Sequence, residues 1–128
     1  MLDHISLAIA DLARSRAFYD AAFAPLGIGV EMSVSAEESG GAAFVGYGSD
    51  GRPYFWLAEA SPASGPVHVA FTAADRAGVD AFYAAAIAAG GRDNGGPGLR
   101  PHYHPNYYGA FVLDPDGHNI EAVCHAPA

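Results

Sequence analysis

HISLAIADLARSRAFYDAAFAPLG, residues 4–27, and HVAFTAADRAGVDAFYAAAIAAGG, residues 68–91, are two versions of one phrase. Aligned without gaps, His4 falls on His68, Asp11 on Asp75, Ala17 on Ala81, Phe18 on Phe82, Tyr19 on Tyr83 and Gly27 on Gly91. The offset is a constant 64 in a chain of 128 residues. One repeat at half the chain length implies two similar modules packed together rather than a long solenoid. A module of about sixty residues buries too little surface to be comfortable alone.

Each copy opens on a short apolar run, residues 4–9 and 67–72, followed by Asp11 or Asp75. This order predicts a strand leading into a helix that is N-capped by the aspartate. The Ala-rich segments that follow, residues 12 to about 24 and 76 to about 89, are helical by propensity. Phe18 with Ala22, and Phe82 with Ala86, share one helix face, and Gly27 and Gly90-Gly91 end the helices. Three shorter strands are expected in each module, at residues 29–35, 42–47 and 53–59, then at 91–93, 107–113 and 119–124. The fold class is therefore α+β, with βαβββ modules at about residues 1–60 and 66–128 in a single domain. Residues 60–65, with SPASG among them, read as the linker. DPDG at 114–117 reads as a tight turn without a catalytic role, and SAEESGG at 35–41 as a solvated loop.

Composition narrows the function classes. Six Arg, no Lys and a net charge of −8 exclude a phosphate-tracking surface, so nucleic acid is not an expected partner. No apolar run approaches the roughly 20 residues that span a bilayer, and no leader pattern opens the chain, so a soluble cytoplasmic protein without a membrane partner is expected. The single Cys124 cannot form an intrachain bridge and reads as a buried thiol on an apolar strand.

Strand parity then separates two faces, because side chains alternate along a strand. In HISLAI the apolar set is Ile5, Leu7 and Ile9, leaving His4, Ser6 and Ala8 opposite. In VHVAF the apolar set is Val67, Val69 and Phe71, leaving His68, Ala70 and Thr72. In HNIEAVC it is Ile120, Ala122 and Cys124, leaving Asn119 and Glu121 with Val123. His4, His68 and Glu121 thus lie on matching faces. Two imidazoles and a carboxylate form a set suited to Fe, Mn, Ni, Co or Zn, with coordination positions left open for substrate.

With these residues the chain resembles the vicinal oxygen chelate superfamily, the glyoxalase, bleomycin-resistance protein and extradiol dioxygenase group. The resemblance runs through LDHISLAIADLARSRAFY, HVAFTAADRAGVDAFY and AFVLDPDGHNIEAV. It implies a curved mixed sheet with a concave metal and substrate cavity and helices on the convex side. It also implies one divalent metal on His4, His68 and Glu121. Glyoxalase I-like and epimerase-like relatives carry a further Glu or Gln ligand on the last strand of the first module. Here that strand is RPYFWLAEA, residues 52–60. If Phe55 and Leu57 face the helices, Trp56 takes the ligand position and lines the cavity. Counting by the ungapped offset places Glu59 on the ligand face instead.

LRPHYHPNYYG, residues 99–109, combines one fixed cation, two imidazoles and three phenols between prolines that restrict the backbone. Arg100, His102, Tyr103 and Tyr107, with Trp56, are the substrate-binding candidates, and His104, Tyr108 and Glu59 the candidates for acid-base work. His118 and His125 read as surface residues.

Three functions follow from the resemblance. The first is a metal-dependent enzyme of lyase, isomerase or dioxygenase type acting on a small oxygen-rich molecule. The second is a metal-free drug- or metabolite-binding protein, and the third a metal-dependent thiol transferase for an antibiotic. Relatives of this length commonly form homodimers, some of which exchange modules so that a cavity draws His4 from one chain and His68 with Glu121 from the other.

Overall fold

The computed structural model of the chain describes residues 1–60 and 65–128; most of the expected linker, residues 61–64, lies outside the described residues. The first module holds β1 (Ile5–Ile9), α1 (Leu12–Phe23), β2 (Gly29–Val34), a short α2 (Ala36–Ser39), β3 (Phe44–Ser49) and β4 (Arg52–Glu59). The second holds β5 (His68–Thr72), α3 (Arg76–Ala88), β6 (Arg92–Asp93), β7 (Gly98–Leu99), β8 (Tyr108–Leu113) and β9 (Asn119–Cys124). Each forms its own mixed sheet, in the order β1-β4-β3-β2 and β5-β9-β8-β6, with β7 added alongside β8. In both, the opening strand lies parallel to the last and occupies the sheet edge.

The local signals act as expected. The Asp11 carboxylate accepts from the Arg14 amide and Asp75 from the Gly78 amide, each satisfying an orphan donor of the first helical turn. The β3–β4 hairpin turns on Asp50-Gly51, both at positive φ (54° and 76°), the pattern that matches the twist of paired strands. Residues 35–41 are not a loop throughout. Ser35 and Glu38 form a capping box that starts α2, so the S-x-x-E spacing outweighs the small polar composition there.

One hydrophobic cluster spans both modules. The α1 and α3 helices pack against each other, and Phe71 of β5 lies 4.8 Å from Phe23 and 5.2 Å from Phe55, ring centre to ring centre. The modules are also clasped by the β8–β9 turn. The Tyr19 hydroxyl donates to Asp114 at 2.6 Å, while Asp116 accepts from the Ala10 amide and the Arg14 guanidinium, each at 3.2 Å. DPDG is therefore a turn that also ties the second module to α1, which turn chemistry alone does not reveal.

His118 corrects a second expectation: it is fully buried rather than at the surface. Its Nδ1 accepts from the Val67 amide at 3.2 Å, so the neutral ring carries its proton on Nε2, which faces the Ala8 carbonyl at 3.3 Å. The side chain thereby joins the end of β1 to the start of β5. Among the described residues, no helix is long and apolar enough to cross a membrane.

Candidate metal and substrate site

Parity places the helices on one face of each sheet and leaves the other for chemistry. On β9, Ile120, Ala122 and Cys124 enter the core, so Glu121 points to the opposite face. In the parallel ladder Glu121 lies opposite Ala70, and His68 opposite Asn119. From there the His68 Nε2–H donates to Glu121 Oε1 at 2.7 Å. The Tyr107 hydroxyl donates to Oε2 of the same carboxylate. Glu121 is only 1% exposed, whereas the His68 side chain remains about half exposed at 52%.

A buried carboxylate is costly unless a cation accompanies it. Among the described residues no Arg or Lys forms an ion pair with Glu121, and its side-chain hydrogen-bond partners are the half-exposed His68 and Tyr107. Beside His68 in the ladder, Asn119 Oδ1 is buried without a hydrogen-bond partner. By strand alternation the imidazole of His68, the carboxylate of Glu121 and the amide of Asn119 belong to one face, residue types that suit a divalent cation. Burial, followed by the hydrogen bond to Glu121, pushes the Tyr107 phenol up to about 12, which keeps it protonated as a donor.

His4 is not brought to this group. It sits on the other sheet, about half exposed, with Nδ1 against Asp3 Oδ1 at 2.8 Å. Among the described residues of one chain, no three His, Cys, Asp or Glu side chains converge as a metal-binding cluster. His4 instead borders a groove of about 810 Å³ that runs past Trp56 and Tyr54 to the Asp50-Gly51 turn. Trp56 lies opposite Ser6 in the β1–β4 ladder, with Phe55 and Leu57 in the core, so the register that gives Trp56 the ligand position is the one adopted.

Glu59 follows the opposite parity. Its carboxylate accepts from the Leu12 amide at 2.9 Å and serves the N-terminus of α1, so the alternative count that put Glu59 on the ligand face in place of Trp56 is not realised. Tyr108 is likewise turned away from the site. It shares a face with the core residues Ala110 and Val112, donates to Asp80 of α3 at 2.6 Å, and has Arg76 stacked 5.2 Å from its ring centre. The phenol beside Glu121 is Tyr107, one residue earlier.

The other loop residues form the rim. Arg100 donates to the Gly98 and Gly96 carbonyls, both at 2.9 Å, and lies over Phe111. His102 packs on Tyr103, and Tyr103 on Tyr107. His104 Nδ1 accepts from the Asn106 amide, which leaves Nε2 as its free nitrogen. Sequence reasoning passed over three contributors. Phe111 stands between Arg100 and His68, Asn119 supplies the unused oxygen, and His125 of the tail packs edge-on against Tyr107. Parity did place Asn119 on this face, and also places Phe111 there through its pairing with Glu121. His125 follows from the same alternation, being one residue past the Tyr108–Cys124 pair and of the same parity as Glu121.

A search of curated proteins found no match. Among solved structures, the chain is similar to a glyoxalase/bleomycin resistance protein from Albidiferax ferrireducens T118, at 31% identity over 99% of both chains and a TM-score of 0.76. It is also similar to a glyoxalase I mutant from Zea mays, at 25% identity over 95% of this chain and 46% of that one, with a TM-score of 0.70. A mutant of the fosfomycin resistance protein FosX from Listeria monocytogenes, complexed with Mn(II) and 1S,2S-dihydroxypropylphosphonic acid, shares the fold. Its identity is 19% over 96% and 90% of the two chains, with a TM-score of 0.71. A family model matches residues 1–122, and the chain belongs to the glyoxalase/bleomycin resistance protein/dioxygenase superfamily.

Proposed function

We propose that the chain is a divalent-metal-dependent enzyme of this superfamily, of lyase, isomerase or dioxygenase type, acting on a small oxygen-rich substrate. The observation that carries this reading is the buried Glu121 carboxylate, met by His68 and, among the described residues, paired with no Arg or Lys. His68 and Glu121 would hold the metal together with the partner's His4, since His4 of the same chain stands on the other sheet. Both histidines are about half exposed, and both opening strands are sheet edges, as halves of a site shared between two copies would require. The expected assembly is a homodimer of isologous symmetry.

When bound, a divalent cation there would take two adjacent substrate oxygens and stabilise an enolate or oxyanion. The chain's own groups do the rest. His104 presents Nε2 for proton transfer at the rim, Tyr103 and His102 offer aromatic surface, and Trp56 lines the groove beside His4. Trp56 in place of a fourth metal ligand, together with the aromatic loop, is the observation that favours the alternative of a metal-free binding protein.

Two measurements test the proposal. Saturating Mn, Fe, Ni, Co or Zn is expected to raise the melting temperature of chelator-treated protein, as mass action requires of a ligand that binds only the folded state. An unchanged melting temperature with all five favours the metal-free reading. Then His4→Ala protein is mixed and reassembled with protein carrying both His68→Ala and Glu121→Ala. If the site is shared between chains, each mixed dimer regains one intact ligand set and metal binding returns. A self-contained site gains nothing from mixing.

A further inference from the structure

We infer that Tyr107 is a positioning residue for the candidate metal centre: its hydroxyl engages one oxygen of Glu121, so that the carboxylate meets a divalent cation through the other oxygen alone. The inference rests on the metal reading above and extends it to a residue outside the proposed ligand set.

The phenol is fixed from several directions. Its backbone is held on both sides, the Tyr107 carbonyl accepting from the Arg100 amide at 2.7 Å and the Tyr107 amide donating to the His104 carbonyl at 3.1 Å. Its ring is gripped edge-on by Tyr103, at 5.1 Å and 69°, and by His125, at 5.2 Å and 88°. Gly109 supplies the room. A Cβ there would lie 3.2 Å from a Tyr107 ring carbon and 3.4 Å from Glu121 Oε2, so the ring crosses β8 over a residue that has no side chain. Arg100, bound to the Gly96 and Gly98 carbonyls, braces the same loop from its other end.

Glu121 consequently presents its two oxygens unequally. Oε2 is occupied by a donor whose ring has little freedom to swing away, while Oε1 faces His68 Nε2. A carboxylate bound through both oxygens fills two places around a metal, and one bound through a single oxygen fills one. By holding Oε2, Tyr107 leaves a further place for a substrate oxygen, which favours substrates that bring two. Partners of this kind, once removed, typically cost about 10–100-fold in metal affinity.

The test uses full-length protein and Mn(II) as the probe. Tyr107→Phe removes the hydroxyl and keeps the ring. By titration calorimetry it is expected to bind Mn(II) about 10–100-fold more weakly than the unaltered protein. In the infrared spectrum of the Mn(II)-loaded variant, the separation between the two carboxylate stretching bands is expected to narrow as Glu121 binds through both oxygens. Gly109→Ala, which crowds the ring from beneath, is expected to weaken binding in the same direction, and Tyr83→Phe, at a phenol that donates to Asp93 instead, to leave it unchanged. Equal Mn(II) affinity and an unchanged spectrum in Tyr107→Phe would overturn the inference, even if its melting temperature fell. If the unaltered protein binds no Mn(II), the metal reading fails and this inference with it. That result is distinct, because there is then no affinity for the variant to lose.

Discussion

The same place in the two modules is occupied by an indole in one and a carboxylate in the other. Ser6 and Ala70 are equivalent in the repeat, and their ladder partners are Trp56 and Glu121. The neighbours are adjusted to match. Trp56 lies beside Gly46, while Glu121 lies beside Phe111. On the helix-facing side, by contrast, the modules answer each other closely, with Phe18 and Phe82, or Ala22 and Ala86, buried at equivalent positions. A duplicated frame thus separates two kinds of information. The covered face specifies packing and is held to the repeat, while the open face specifies chemistry and differs between the copies.

The sharpest way to break this comparison is to remove each side chain in turn. Glu121→Ala is expected to abolish the metal-dependent rise in melting temperature, whereas Trp56→Ala leaves a rise of similar size; thermal scans with and without Mn(II) measure both. The reverse pattern would assign the metal to the wrong half. Gly46→Ala is expected to be next in size. Its new Cβ would stand 2.8 Å from the Trp56 ring, and crowding of this kind costs about 1–3 kcal/mol, read by urea denaturation.

The equivalent tyrosines of the repeat give a smaller, pH-dependent contrast. Tyr19 is fully buried and donates across the modules to Asp114, whereas Tyr83 donates to Asp93 within its own module. Removing the Tyr19 hydroxyl leaves a buried carboxylate short of a donor, so Tyr19→Phe is expected to cost about 1–3 kcal/mol and Tyr83→Phe to have a clearly smaller effect. Burial, then the charge of Asp114, holds the Tyr19 phenol well above its ordinary value of 10.0. Unfolded chains ionise near that ordinary value, so the contribution is complete below it and is lost as pH rises above it. Urea denaturation across that range is expected to show a steeper alkaline decline in the unaltered protein than in Tyr19→Phe.

Much of this was legible in the sequence because the repeat and the strand period constrain each other. The offset of 64 located both modules, Asp11 and Asp75 marked both helix starts, and parity put His68 and Glu121 on one face, where they meet. Parity also favoured Trp56 over Glu59, because Phe55 and Leu57 had to be covered. The residues that resisted reading are those whose roles depend on tertiary reach. Tyr107 and Tyr108 are adjacent phenols on opposite faces, and because Ala110, Phe111 and Val112 are all apolar, the residues alone do not say which face of β8 is covered and so which phenol meets Glu121. His118 follows a turn and looked solvated, yet the Asp114 and Asp116 contacts draw that turn onto α1 and bury it. His4 lay on the expected face, but of a sheet that does not bring it to Glu121 within one chain.

Trp56 is also the chain's single tryptophan, set in the groove beside His4. All tryptophan emission from this protein therefore originates in the groove beside His4, in the first module. Its colour and intensity follow what touches that indole, without a label and without a contribution from elsewhere in the fold. The opposite half, with Glu121 and its phenols, is dark in that channel. In the proposed dimer, where two copies share a cavity, a quenching ion such as Mn(II) at Glu121 would lie near the other copy's Trp56, so that the emission of the chain reports its assembly.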